Sequence, residues 1–133
     1  PGDNDQSCVL RVQAGAHTLL LTGDIERTAE SEILATNTIG PVDVLLVPHH
    51  GSRTSSTSAF VAATRPQWAL VPAGHRNRWG FPRPEVVRRW EAAGAEVVLG
   101  PASGAVEFDL HPDRPLASPR LWRMERRRSW HDP

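Results

Sequence analysis

The decisive stretch is Val42-Asp43-Val44-Leu45-Leu46-Val47-Pro48-His49-His50-Gly51-Ser52, in which an apolar run leads directly into two histidines. Five of its first six residues are apolar, which is typical of a β-strand buried on both faces of a sheet. Pro48 ends the strand, because proline has no N–H to donate to a neighbouring strand. Ligands of open α/β sheets bind beyond the carboxyl ends of the strands. We therefore interpret His49 and His50 as candidate site residues.

A second apolar run, residues 17–22, ends in a similar way, with Gly23 and Asp24. Residues 7–14 precede it across a short turn, so the two runs are predicted to form a β-hairpin. Carboxylate oxygen and imidazole nitrogen both bind zinc. Asp24 and the histidines, at the ends of neighbouring strands, therefore indicate one metal centre or acid–base site. The alternatives are structural: a Gly-Asp pair after a strand is usually a turn, and a histidine pair often lies on the surface.

The rest of residues 1–111 alternates between helical and strand patterns. Asp24 is a plausible N-cap for the first helix, and Ser55 or Ser56 for the second. The alternation predicts an α/β sandwich whose helices cover the faces of a sheet. Residues 112–133 are rich in proline and arginine and are predicted to form a disordered tail. The predicted helices are 25–35, about 56–64 and 84–94, and the remaining strands are 68–71, 96–99 and 105–110.

Length and composition limit the classes of protein. A chain of 133 residues is long enough for one domain with a core. Its longest apolar runs fall well short of 18 residues, so no transmembrane segment is expected and the chain alone is predicted to be soluble. Residues 1–111 hold 9 Arg against 12 Asp and Glu, whereas residues 112–133 hold 6 Arg against 3. The single cysteine, Cys8, excludes an internal disulfide framework.

Five motifs carry a resemblance to a known family: Asn4-x-x-Ser7-Cys8-Val9-Leu10, Leu20-Leu21-Thr22-Gly23-Asp24-Ile25-Glu26, Val42-Asp43-Val44-Leu45, Pro48-His49-His50-Gly51-Ser52 and Asn77-Arg78-Trp79-Gly80-x-Pro82. In this order, over nearly all of residues 4–110, the chain resembles the metallo-β-lactamase-fold domain of the ComEC/Rec2 DNA-internalization proteins. These are the inner-membrane channel proteins of bacterial natural transformation. The resemblance implies the C-terminal half of an αββα sandwich, a mixed sheet with helices on its outer face.

The resemblance also implies an activity, namely metal-dependent hydrolysis of phosphodiesters during DNA uptake. Asp24 matches the metal-bridging aspartate of the family, and His50 is the expected final histidine ligand of zinc or manganese. His49 is expected beside these ligands or against a phosphate. Asp24, His49 and His50 together are the expected catalytic residues.

Three further residues are expected to bind the substrate. Ser52 and Ser55 lie close enough in sequence to the histidines to hydrogen-bond a phosphate, but helix capping and turn bonding explain both serines equally well. Asn77 belongs to the last of the five motifs. Arg53 and Arg78 are possible phosphate clamps, with an exposed solubilising charge as the alternative for each.

Two departures from the family pattern bear on the site. The His-x-His-x-Asp-His cluster of the fold does not occur in these 133 residues. We therefore expect an incomplete metal site in this chain. Position 81, where the family commonly has histidine, is Phe81. The expected partners are DNA, single-stranded or duplex, and the rest of a ComEC-like membrane protein. As part of such a protein, the domain would lie at the inner membrane on its extracytoplasmic side.

The motifs do not distinguish DNA from a small phosphodiester as the substrate of such a hydrolase, and two functions of other classes also remain open. The chain could be a non-catalytic nucleic-acid-binding module that uses Trp79, Arg76 and Arg78 together with the arginine-rich tail for stacking and phosphate contact. It could also be an inactive, truncated fragment of a hydrolase. A DNA affinity that survives removal of metal would favour the binding module.

Overall fold

A computed structural model of the protein describes residues 2–126. A single turn of 3-10 helix lies at Asp3–Gln6, and a tight turn with left-handed backbone at His49 and His50 spans Pro48–Gly51. In the described part of the chain, no helix is both long enough and apolar enough to cross a membrane. The strands are β1 (Leu10–Ala14), β2 (His17–Leu21), β3 (Val44–Leu46), β4 (Trp68–Val71), β5 (Glu96–Leu99), β6 (Val106–Glu107) and β7 (Arg120–Leu121), and the helices are α1 (Arg27–Ala35), α2 (Ser58–Thr64), α3 (Pro84–Ala92), α4 (Gly100–Ser103) and α5 (Trp122–Glu125).

The main sheet has five strands in the order β1-β2-β3-β4-β5. β1 pairs antiparallel with β2, which gives the predicted hairpin, and β2 to β5 run parallel to one another. Parallel neighbours need a crossover connection, and α1, α2 and α3 supply the three crossovers. The predicted α/β class with a mixed sheet is thus confirmed. The αββα sandwich of the metallo-β-lactamase fold stays a prediction.

One face of the sheet is covered by the three crossover helices. Leu20 and Leu45 on the strands, and Phe60 and Trp90 on the helices, are completely buried. The rings of Phe60 and Trp90 pack edge to face with centroids 6.5 Å apart. All four belong to one apolar cluster that joins α1, α2 and α3 to the sheet. The expected burial of the central strand follows from this packing.

The opposite face of the sheet carries a smaller apolar cluster around Val44, Trp68 and Val98. The segment that follows β5 covers it, and β6 pairs antiparallel with β7 in a second, two-stranded sheet. The strand predicted at 105–110 is therefore only two residues long. Residues 112–126 of the predicted tail contain β7 and α5, while residues 127–133 lie outside the described part. The boundary between domain and tail stays a prediction.

The helix caps differ from those expected from the sequence. Asp24 was the expected cap of α1, but the helix begins three residues later, at Arg27. The carboxylate of Asp5 accepts from the backbone N–H groups of Glu26 (2.8 Å) and Ala29 (3.4 Å) instead. α2 is capped by the Thr57 hydroxyl rather than by Ser55 or Ser56. The carboxylate of Asp24 therefore does not cap α1.

Candidate functional site

The carboxyl ends of β2, β3 and β4 meet at one edge of the sheet, because these strands are parallel and adjacent. The register aligns Leu20 with Leu45 and Leu46 with Leu70, so the residues that follow the strands also lie side by side. A cavity of about 580 Å³ opens at this edge, a volume within the usual range of ligand sites. Among its lining residues are Asp24, His49, His50, Asn77, Trp79 and Phe81.

The backbone that carries the two histidines has an uncommon conformation. His49, His50 and Gly51 have φ values of 46°, 54° and 80°, all in the left-handed region. Non-glycine residues in this region cost about 1–3 kcal/mol each and persist only where the surroundings enforce them. The N–H of His49 donates to the carbonyl of Gly23 (3.1 Å), and a Cβ on Gly51 would lie 2.6 Å from Cβ of Pro82. The turn therefore needs its glycine, and the histidines are held by the main chain.

His50 is fixed by one ring nitrogen and turned towards Asp24 by the other. Its Nδ1 lies 2.7 Å from the carbonyl oxygen of Pro72, and a carbonyl only accepts, so Nδ1 carries the proton. Its Nε2 lies 3.4 Å from Oδ1 of Asp24. In a neutral ring with this tautomer, Nε2 presents a lone pair to a carboxylate. The geometry would therefore suit a cation shared by the two groups, such as a divalent metal ion.

His49 is held by a different carboxylate, that of Glu26. Nδ1 of His49 lies 2.9 Å from Oε1 of Glu26, and the same oxygen accepts from Thr54 Oγ1 (2.7 Å) and Asn4 Nδ2 (3.3 Å). The hydrogen bond from Thr54 lowers the pKa of Glu26. Burial opposes this effect, Asn4 and His49 add smaller lowering contributions, and the net pKa lies below its ordinary value. An ionised Glu26 accepts a hydrogen bond from Nδ1–H of His49, which places the proton of the neutral ring on Nδ1 and leaves Nε2 as the acceptor nitrogen.

The fit of this edge to a metal ion is partial. Asp24 and His50 supply one oxygen and one nitrogen donor at a common point. Within residues 2–126, no group of three or more histidine, cysteine, aspartate or glutamate side chains is placed to hold an ion. A catalytic zinc usually has three protein ligands. The described residues alone therefore do not provide a complete zinc site, and the metal site expected from the sequence stays a prediction.

The other predicted site residues mostly hold the loops together. Ser52 is buried, and its hydroxyl contacts that of Thr54 at 3.0 Å. Ser55 is also buried, and its hydroxyl donates to the carbonyls of Pro48 (2.9 Å) and Ser52 (3.1 Å). Asn77 lines the cavity, but its amide closes its own loop. Of the predicted substrate-binding residues, His49 and Asn77 therefore reach the cavity, and the two serines brace the loop beneath it.

Sequence reasoning missed Glu26 and Thr54 as site residues. In the sequence Glu26 was noted only as the last residue of one family motif, and Thr54 was not singled out. A usable signal was present in the spacing: residues at i and i+2 of an extended segment point to the same side. Glu26 has an extended backbone (φ −117°, ψ −172°) and lies two residues after Asp24. Asp24 and Glu26 therefore present their carboxylates on one side of the segment, where Asp24 faces His50 and Glu26 faces His49.

Comparison with known proteins shows that most of this chain is similar in sequence to proteins from several bacteria. No protein-family model matches the chain. The chain is 38% identical over 112 residues to Recombination protein 2 of Haemophilus influenzae, a match that covers 84% of this chain and 14% of that protein. It is 38% identical over 111 residues to Competence protein ComA of Neisseria gonorrhoeae (81% and 16%), and 30% identical over 105 residues to ComE operon protein 3 of Bacillus subtilis (79% and 14%).

The matched region spans only 14–16% of the length of these relatives. The expected resemblance to competence proteins is confirmed at this level, whereas the metallo-β-lactamase fold stays a prediction. Over most of its length, the chain is therefore similar to one segment of much longer proteins that are named for recombination and competence.

Proposed function

We propose that this chain forms one wall of a phosphodiester-hydrolase site in a protein of natural-transformation DNA uptake. The observation that carries the proposal is the convergence of His50 Nε2 and Asp24 Oδ1 at 3.4 Å, with the other ring nitrogen fixed by the Pro72 carbonyl. The names of the relatives support the role in DNA uptake. The chain acts in this proposal as one part of a larger protein at the inner membrane, with its domain on the extracytoplasmic side.

Asp24 and His50 are two ligands of a divalent metal ion in this proposal, zinc or manganese. When bound, such an ion polarises a phosphate and makes a water molecule a stronger acid. The chain's own contribution is to hold the two donors ready. The N–H of Asp24 donates to the Ser7 hydroxyl (3.1 Å), which restrains the backbone, and the Pro72 carbonyl restrains the imidazole. The remaining ligands come from residues outside this chain, such as the His-x-His-x-Asp-His cluster of the family it resembles.

His49 is the acid–base group of the proposed site. The ionised carboxylate of Glu26 holds the proton on Nδ1, so Nε2 is the nitrogen that takes a proton from an attacking water or gives one to a leaving oxygen. The ring of Phe81 packs against the imidazole of His49 with centroids 5.8 Å apart and limits the rotation of that imidazole. A fixed ring with one available nitrogen is what general acid–base catalysis requires.

The test compares the isolated chain with the chain joined to a segment that supplies His-x-His-x-Asp-His. We expect the isolated chain to bind Zn²⁺ or Mn²⁺ weakly in titration calorimetry and not to cut DNA, because its ligands are too few. The joined protein should bind tightly and nick single-stranded or duplex DNA, and EDTA should stop the reaction. Asp24→Ala should abolish cleavage without changing the thermal transition, since Asp24 is 44% exposed.

A matched control is Asp109→Ala, which removes an exposed aspartate that does not line the cavity. That variant should keep both metal binding and cleavage. EDTA-sensitive cleavage by the isolated chain would contradict the partial site. Cleavage by the joined Asp24→Ala protein would contradict the role of Asp24, and an inactive joined protein would favour the inactive-fragment alternative.

A further inference from the structure

An exposed tryptophan lies beside the candidate site. Trp79 belongs to the loop between β4 and α3, is 56% exposed, and lines the same cavity as Asp24, His49 and His50. An indole ring offers a large, flat apolar surface that most proteins bury or cover. Here that surface borders the residues to which the proposed function assigns phosphate chemistry.

The loop that carries Trp79 is braced by the side chain of Asn77. The amide nitrogen of Asn77 donates to the carbonyls of Gly74 (3.0 Å) and Phe81 (2.7 Å), and its oxygen accepts from the Phe81 N–H (2.9 Å). Three hydrogen bonds thus close the loop on both sides of Trp79. The ring is presented on a fixed turn although most of it is in contact with solvent.

One face of the Trp79 ring is covered by a cation. The guanidinium carbon of Arg78 lies 4.4 Å from the ring centroid, within cation–π distance. Because Trp79 is 56% exposed, ring surface that Arg78 does not cover is available to another flat group. A positive charge stacked on an aromatic ring also attracts the negative backbone of a nucleic acid.

We propose that Trp79, backed by Arg78, is a stacking platform for an unpaired nucleobase next to the phosphodiester that the site binds. This proposal rests on the proposed function and names the preferred form of its substrate, a single strand. Bases within a duplex are already stacked on their neighbours and cannot reach the ring, whereas the bases of a single strand stack readily on aromatic side chains. Every base has a flat face, so the platform binds without preference for sequence.

The same structure contains a matched control. Trp122 is also stacked by arginine, with the guanidinium carbons of Arg120 and Arg126 at 4.4 Å and 4.6 Å from its ring centroid. Its indole N–H donates to the Glu107 carboxylate (3.0 Å). Trp122 does not line the cavity, because it lies in α5, beside the second, two-stranded sheet. Loss of Trp122 therefore removes an aromatic–arginine cluster that lies outside the cavity.

The experiment measures binding of the full chain to a short oligothymidylate in EDTA, by fluorescence anisotropy at fixed salt. An abasic oligomer of the same length serves as the second probe. We expect oligothymidylate to bind more tightly than the abasic oligomer, and Trp79→Ala to weaken oligothymidylate binding by about 5- to 150-fold while leaving abasic binding nearly unchanged. Trp79→Phe should retain most of the affinity, and Trp122→Ala all of it.

Equal affinity for the two oligomers, an unchanged affinity in Trp79→Ala, or an equal loss in Trp122→Ala would each overturn the platform. No measurable binding of either oligomer would overturn it too. EDTA prevents hydrolysis, so binding is measured separately from cleavage. If the chain prefers oligothymidylate to the abasic oligomer but the joined protein does not cut DNA, the proposed hydrolase function is wrong and the stacking platform is retained. Circular dichroism of each variant confirms that the loop substitution leaves the fold intact.

Discussion

The helix-covered face of the sheet and its carboxyl edge come from the same strand–helix units, but different interactions hold them. On the face, Leu45, Phe60 and Trp90 are completely buried, and burial of apolar surface contributes about 25 cal/mol per Å². At the edge, Glu26 and His49 are partly exposed and are held by hydrogen bonds between side chains. Such partly exposed bonds contribute much less net stability than a buried side chain. Stability and chemistry should therefore respond to different substitutions.

The largest effect is expected at the centre of the face. Leu45→Asp places a charge without a partner among apolar groups and should lower the free energy of unfolding by about 4 kcal/mol or more. The measurement is urea unfolding followed by circular dichroism. Val12→Asp, on β1 and 38% exposed, is the control and should change stability by about 0.5 kcal/mol at most. A soluble Leu45→Asp protein with an unchanged transition would contradict the assigned core.

An intermediate loss of stability is expected at Glu30, which joins α1 to the residues just before α2. Glu30 is completely buried on α1, and its carboxylate accepts from the backbone N–H groups of Ser56 (2.5 Å) and Thr57 (2.8 Å). Glu30→Ala leaves both donors without their acceptor and should cost about 3 kcal/mol in thermal or urea unfolding. Glu32→Ala removes an exposed carboxylate of the same helix and should cost almost nothing. Equal losses in the two variants would show that the Glu30 contacts contribute no stability.

The smallest effect is expected at the edge, where Glu26 makes stability depend on pH. The hydrogen bond from Thr54 lowers the pKa of Glu26 below its ordinary value of 4.5. The folded protein therefore binds this proton less tightly than the unfolded chain, so the contribution of Glu26 is complete above the unfolded pKa and is lost as the pH falls through the folded one. Unfolding measured in EDTA across this acid range should show a shallower slope for Glu26→Gln. An unchanged slope would mean that the hydrogen bonds to Glu26 do not stabilise the fold.

The elements that the sequence predicts well are those with strong local patterns. β4 and β5 have the predicted bounds, and α3 begins at the predicted Pro84, because each is marked by an apolar run or by a proline at the start of a helix. The region after β5 was harder to predict. β6 and β7 are two residues long, and their pairing depends on contacts across the second face of the sheet, which no local pattern records.

The candidate site shows the same division. The positions of Asp24 and His50 follow from the ends of parallel strands, a rule that the sequence alone can apply. Their polar surroundings do not follow from it. Asp5 caps a helix that starts 22 residues later, and Thr54 reaches Glu26 across 28 residues. Such pairings are decided by tertiary packing and are invisible to helix or strand propensity.

The left-handed backbone at residues 49–51 has a consequence for protein engineering. The main chain of this turn is held by the hydrogen bond from the His49 N–H to Gly23 and by the close contact of Gly51 with Pro82, so it sets where both imidazoles leave the backbone. Asparagine and aspartate, like histidine, tolerate this conformation better than most side chains, and β-branched residues tolerate it worst. Donor chemistry at position 49 or 50 can thus be exchanged for an amide or a carboxylate while the scaffold stays in place. Different donor side chains can therefore be compared at the same point in space, one position at a time.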